Sequence, residues 1–225
     1  MIFQNGWFPV GVVMAAWPVL LVIFALCAKQ AWVSVSQHRS AFLVAAVMLP
    51  LAWSLNASPE SGQLAGMSYH LLALNLTALM LGTSAAFCLG VLLFFPYLWL
   101  WGDWHMFPIN ALSVLLPPLL VNLGFRHWVS RLPANIFIFI FLNGFWAAAV
   151  GMVFTGVILV GLLEWADVFD TTVLWKTAFP VFFLIAWAEA FLSGISTAIF
   201  IALKPQWICT FDDGRYLKSA PKIWQ

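Results

Sequence analysis

Residues 70–99 read HLLALNLTALMLGTSAAFCLGVLLFFPYLW, an apolar stretch without a single Asp, Glu, Lys or Arg. A helix rises about 1.5 Å per residue and the hydrocarbon core of a bilayer is about 30 Å thick, so roughly 20 residues make one crossing and this stretch is too long for one. Leu81-Gly82-Thr83-Ser84 in its middle reads as a tight turn between a third and a fourth helix. Working outward, polar breaks at Gln30–Arg39, Asn56–Met67, Trp101–Pro108, Arg126–Pro133 and Glu164–Lys176 delimit further runs. These are about Phe8–Ala28, Ser40–Leu55, Ile109–Gly124, Ala134–Leu163 and Ala178–Leu203, which brings the expected number of helices to seven.

Composition agrees with this division. Of 225 residues, 64% are hydrophobic and 8% charged, too much apolar surface for any soluble interior to hide. In lipid every backbone polar group must be satisfied within its own segment, so the expected fold is all-α: one polytopic transmembrane bundle over residues 1–205 and a short cytoplasmic tail over 206–225. A net charge of +1 argues against a nucleic-acid surface, and no G-x-x-x-x-G-K-[ST] loop is present to bind and hydrolyse ATP. Cys27, Cys88 and Cys209 are widely spaced and suggest neither a disulfide framework nor a thiolate zinc site. No Lys or Arg precedes the first apolar run, so a cleavable signal peptide is not expected and Met1 should remain.

The loops fix an orientation. Lys29, Arg39, Arg126, Arg131, Lys204, Arg215, Lys218 and Lys222 fall on one side if the N-terminus lies outside and the C-terminus in the cytoplasm; only Lys176 falls on the other. The outer side then carries Glu60, Asp103, Glu164, Asp167 and Asp170, an acidic surface able to concentrate cations. Trp7, Trp53, Trp101, Trp104, Trp128, Trp165, Trp175 and Trp207 sit near span ends, as interfacial anchors do. Ala147-x-x-x-Gly151, and Gly144 with Ala148, offer small-residue faces for close helix packing.

Few residues can carry chemistry. His38 and His127 flank basic residues at the cytoplasmic boundary and read as solvated. His70, opening the third helix, and His105, in Gly102-Asp103-Trp104-His105, belong to the outer side; an extended loop would project Asp103 and His105 the same way. Imidazole and carboxylate suit a divalent transition metal, while two interfacial histidines and an acid bonded to backbone or water is the competing assignment. Glu189 is the one ionisable residue well inside a span; at bilayer depth its charge costs at least about 2.5 kcal/mol, so it should face the interior and have a partner. Asn75, Asn110, Asn122, Asn135 and Asn143 read as interhelical hydrogen bonders. Ser193-Gly194 would suit an intramembrane hydrolase only with a histidine in reach, and Phe191 stands where such serine enzymes expect glycine. No H-E-x-x-H motif is present.

Three stretches together resemble the CbiM/NikM family, the cobalt/nickel substrate-binding membrane subunits of energy-coupling-factor transporters. Met1-Ile2-Phe3-Gln4-Asn5-Gly6-Trp7-Phe8-Pro9 places Gly and Pro as in that family's opening M-H-I-M-E-G-F-L-P. His70-Leu71-Leu72 through Leu81-Gly82 to Ala85-Ala86 is similar to its G-H-L-L-G-G-A-L-A-A-I-L-L-G-P-W-A-A, and Asp103 followed by Asn110 to its A-D-G-G and G-A-N segments. The resemblance implies a bacterial inner-membrane, multi-pass subunit that takes up a divalent metal ion, Co2+ or Ni2+, as transported substrate. It implies no catalysis and no permanently bound cofactor. Its partners would be membrane lipid, a transmembrane coupling subunit and cytoplasmic ATPase subunits of an ABC transporter.

In that family the metal is held by the amino group of residue one, the backbone nitrogen and imidazole of residue two, and the histidine of the third helix. Met1 and His70 match; residue two is Ile2, which has no ligating side chain. The expected metal set is therefore Met1 and His70, with Asp103 and His105 as outer-face candidates. Ala73 and Leu74 replace the glycines after His-Leu-Leu, and Glu189 stands about one turn ahead of the carboxylate expected in the last helix. The alternative is a diverged subunit of the same fold that serves non-metal transport or assembly.

Overall fold

The computed structural model describes residues 2–57 and 67–216, apart from the side chain of Trp101. Among these residues the chain makes seven helical rods, as the apolar runs predict. They are α1 Val10–Gln37, α2 Arg39–Ser54, α3 Leu74–Leu81, α4 Thr83–Trp101 and α5 Phe107–Val129, then α6 Ile136–Trp165 and α7 Thr171–Leu203. An antiparallel pair, β1 Asn56–Ala57 with β2 Tyr69–His70, closes the α2–α3 connection.

The turn in residues 70–99 lies where expected. Gly82 has φ +82°, a left-handed value that glycine adopts without the Cβ clash, and it ends α3 one residue before α4 begins. The third rod, however, starts late. His70 belongs to β2 rather than to a helix, and α3 has 8 residues, about 12 Å of rise, so it does not cross the bilayer. All of its residues are buried, which makes it the axis of the bundle. Ala73, immediately ahead of it, holds a left-handed φ of 55°.

Two other breaks are shorter than the polarity pattern suggests. α1 continues through Lys29 and Gln30 to Gln37, and His38 alone joins it to α2. Backbone hydrogen bonding does not stop where hydrocarbon stops, so polar helix formers at the interface extend the rod. At the other end, Glu164 and Trp165 finish α6 and Thr171–Lys176 begin α7. Asn135 caps α6 by accepting from the N–H of Phe137 (2.8 Å) rather than bridging helices, and Asp170 caps α7 by accepting from that of Thr172 (2.7 Å).

Small residues bring the later rods together. A Cβ on Gly144 would lie 3.2 Å from Thr197 on α7, and one on Gly151 would lie 3.2 Å from Pro118 on α5. Ala147 and Ala148 are buried beside them. Where lipid removes any hydrophobic drive between helices, such close approach supplies the van der Waals contact that holds them. Buried amides add directional bonds: Asn75 Nδ2 donates to the carbonyls of Asn143 (2.9 Å) and Gly144 (3.2 Å) and to Ser193 Oγ (2.8 Å), while Asn122 Nδ2 donates to Asn75 Oδ1 (2.8 Å). Four helices are thereby tied at one level.

The two ends of the bundle differ in charge. Trp7 packs on Phe169 with ring centres 5.3 Å apart, so the N-terminal segment shares an end with Glu164, Asp167 and Asp170. At the opposite end Arg215 Nη2 donates to the carbonyl of Ser130 (2.7 Å), uniting the residues after α7 with the α5–α6 loop. There Thr210 also donates to the carbonyl of Leu79 through its hydroxyl (2.9 Å), which packs residues 208–211 under the end of α3. The charge rule makes the basic end the expected cytoplasmic one. Glu60, Lys218 and Lys222 lie outside the described residues. Trp104, Trp128 and Trp165 are exposed at span ends, whereas Trp53 is wholly buried and donates from Nε1 to the carbonyl of Leu72 (3.0 Å), a core residue rather than an interfacial anchor.

Candidate metal site

His70 enters the bundle on an extended segment, because β2 pairs His70 with Asn56 before the chain turns into α3. Its side chain is 1% exposed and packs on Tyr97 of α4, with ring centres 5.8 Å apart. Nδ1 lies 3.0 Å from the carbonyl of Leu71. A carbonyl only accepts, so Nδ1 carries the proton and Nε2 presents its lone pair. Among the described residues Nε2 has no hydrogen-bond partner. With its one proton on Nδ1 the ring is neutral. A neutral ring with one nitrogen fixed by a carbonyl and the other free is the form that ligates a transition metal.

The segment carrying His70 is held from three helices. Glu189 on α7, 2% exposed, turns its carboxyl to the backbone: Oε1 accepts from the N–H of Leu72 and, at 3.0 Å, from that of Ala73. The interior partner expected of this intramembrane acid is thus the irregular backbone ahead of α3. Trp53 of α2 and Tyr97 of α4 complete the brace, the Tyr97 hydroxyl donating to the carbonyl of Trp53 (3.1 Å).

The first residues of the chain enter the same end. The N–H of Phe3 donates to Asn110 Oδ1 (2.7 Å) and Asn110 Nδ2 donates back to the Phe3 carbonyl (3.1 Å), a two-bond clamp. Ile2 and Phe3 are buried, and a Cβ on Gly102 would lie 3.4 Å from Ile2 Cγ2, so the segment reaches the end of α4. Met1 lies outside the described residues. Asn110 therefore bonds within the site and not merely between helices, a role its position in an apolar run does not reveal.

Asp103 and His105 face each other by a different route from an extended loop. Asp103 caps a tight turn over Trp104–Met106, its Oδ1 accepting from the His105 N–H (2.9 Å) and lying 2.8 Å from His105 Nδ1. His105 is exposed and Asp103 half-buried, and His105 stacks on Trp104 at 3.9 Å. Among the described residues no three His, Cys, Asp or Glu groups converge to hold a metal ion, so the two are not brought into one set with His70 and a further acid. Ser193 Oγ accepts from Asn75, and no histidine bonds to it among the described residues. The three cysteines are free.

A bundle of apolar rods, with a buried neutral imidazole and the start of the chain threaded to one end, defines a multi-pass membrane protein. Residues 3–207 match the model of CbiM, the cobalt uptake substrate-specific transmembrane region, and the chain belongs to that family. A crystal structure of a truncated transition metal transporter has the same fold: it superposes with a TM-score of 0.75 at 15% identity, over 91% of this chain and 99% of that one. No match is found among curated proteins.

Proposed function

We propose that this protein is the substrate-capturing membrane subunit of a divalent transition-metal uptake system, with Co2+ or Ni2+ as cargo. The observation that carries the reading is His70 Nε2, buried, unprotonated and without a hydrogen-bond partner among the described residues, at the end where the N-terminal segment enters. Nitrogen donors favour nickel, cobalt or copper over magnesium or calcium, and a buried site favours ions that shed water for them. Backbone nitrogen at the chain's start and the Met1 amine would join His70 in the set, with Asp103 and His105 at the outer rim attracting the cation. In this reading the chain is a transporter subunit and not an enzyme, and a transmembrane coupling subunit with cytoplasmic ATPases of the energy-coupling-factor type drives uptake.

One observation favours a second reading. Ile2 is 5% exposed and fills its place with an aliphatic side chain where the family carries an imidazole, so the pocket is poorer in donors. The same bundle then serves a non-metal solute or the assembly of another membrane complex. Elemental analysis of protein purified without chelator and with its own N-terminus separates the two. On the metal reading wild-type protein and His38→Ala retain cobalt or nickel and His70→Ala loses it. Equal metal in His70→Ala and wild type, or none in either after loading, refutes it.

A further inference from the structure

The cytoplasmic end holds a feature that metal capture does not use. Two adjoining clefts, of about 320 and 370 Å³, share Leu123, Arg126 and Thr210. The first is bounded by the α3–α4 turn, where Thr83 and Ser84 present hydroxyls, and the second by Arg215 and His127. Arg126 is half-buried between them, and among the described residues its side chain makes one hydrogen bond, a long one, Nη1 to Thr83 Oγ1 at 3.4 Å. A guanidinium presents a planar fork of donors, so most of this group's capacity faces the cleft unused. Among the described residues Arg215 donates to the carbonyls of Ser130 and Leu132 alone, and neither arginine is ion-paired. The one carboxylate lining either cleft, Asp212, accepts from the N–H of Gly214 (2.9 Å). The remaining sequence, 217–225, contains no Asp or Glu.

We propose that these clefts bind a phosphate group, that of an anionic phospholipid in the cytoplasmic leaflet. Arg126 is the anchor. A guanidinium matches two phosphate oxygens bidentately, and basic pockets between spanning helices on this side of a membrane suit acidic headgroups. The first turn of α4 lines the same cleft and adds its partial positive charge. A lipid source is favoured over free phosphate by the rim: Leu123, one turn before Arg126 on α5, lines both clefts and is exposed on the outer surface of the bundle, which gives an acyl chain its path.

The test uses the whole protein in mixed phosphatidylglycerol and phosphatidylcholine, with retained lipid counted by native mass spectrometry. Wild type retains phosphatidylglycerol preferentially; Arg126→Gln lowers that retention about tenfold, as loss of a charge-assisted bond pair implies. Arg126→Lys, which keeps charge but not the fork, falls between, and Lys29→Gln, exposed on α1, changes nothing. A second readout needs no variant: melting of wild type is raised by short-chain phosphatidylglycerol and not by phosphatidylcholine. Protection by millimolar inorganic phosphate as well supports the same site with a soluble source. Equal retention of both lipids by wild type, with no protection by phosphatidylglycerol or phosphate, overturns the proposal.

Discussion

Replacing Glu189 by leucine should unfasten the segment that carries His70. In the wild type its carboxyl accepts from the backbone N–H groups of Leu72 and Ala73, at a depth where no water replaces it. Each buried N–H left without an acceptor costs about 1–3 kcal/mol, so the pair costs about 2–6 kcal/mol. For a chain of this length about 2–4 °C of melting temperature accompanies each kcal/mol, which sets the expected fall at no less than about 4 °C. Glu189→Gln keeps an acceptor oxygen and should lose less than half as much. Ala73, held at φ 55° beside the carboxyl, contributes a further check, since Ala73→Gly relieves left-handed strain of about 1 kcal/mol and should recover part of the loss. Thermal unfolding of the detergent-solubilised variants reads all three. If Glu189→Leu melts with the wild type, the carboxyl does not anchor this segment and the account of how His70 is positioned fails.

Other consequences are as specific. Gly156→Ala places a Cβ 2.6 Å from the Phe182 ring and should destabilise by about 1–3 kcal/mol, whereas Gly161→Ala, with open space around it, should be neutral or gain up to about 1 kcal/mol; equal melting of the two would contradict the packing of α6 on α7. Ile2→His adds an imidazole beside the chain's start and should raise retained nickel or cobalt by at least about tenfold in affinity, the scale on which losing ligand support weakens a metal site; unchanged retention would count against a site at this end.

What the sequence made legible follows from periodicity and charge. Apolar runs announce rods, and a Gly-Thr-Ser inside an overlong run announces a turn, because both depend on local chain chemistry alone. Rod ends were harder: Lys29 and Gln30 look like loop yet continue α1, since the backbone ladder is indifferent to the lipid boundary. His70 read as a helix start because Leu71-Leu72 continues the apolar run; its extended conformation depends on pairing with Asn56, fourteen positions back, which no local pattern carries. Glu189 stood out as a charge in a span, but its partners are main-chain amides and have no letter in the sequence. Asp103 and His105 were readable as a pair by spacing, though they pair through a tight turn that keeps them to each other.

The polar residues inside the spans share one physical task. Irregular backbone at membrane depth survives only where protein satisfies its N–H and C=O groups, because lipid offers none. Two such segments converge on the outer end, the chain's start and residues 67–73, and each is met by one helix-borne side chain: Asn110 clamps Phe3 and Glu189 clamps Leu72 and Ala73. Glu189 turns both carboxyl oxygens, and Asn110 both its amide oxygen and nitrogen, to backbone partners, so each acts as a clamp. On the proposed metal reading the clamped segments themselves deliver donors to this end, first among them His70 Nε2. An acid and an amide buried in apolar helices are thus the cost of bringing non-helical chain, with its exposed nitrogen atoms, to a place where a helix would have hidden them.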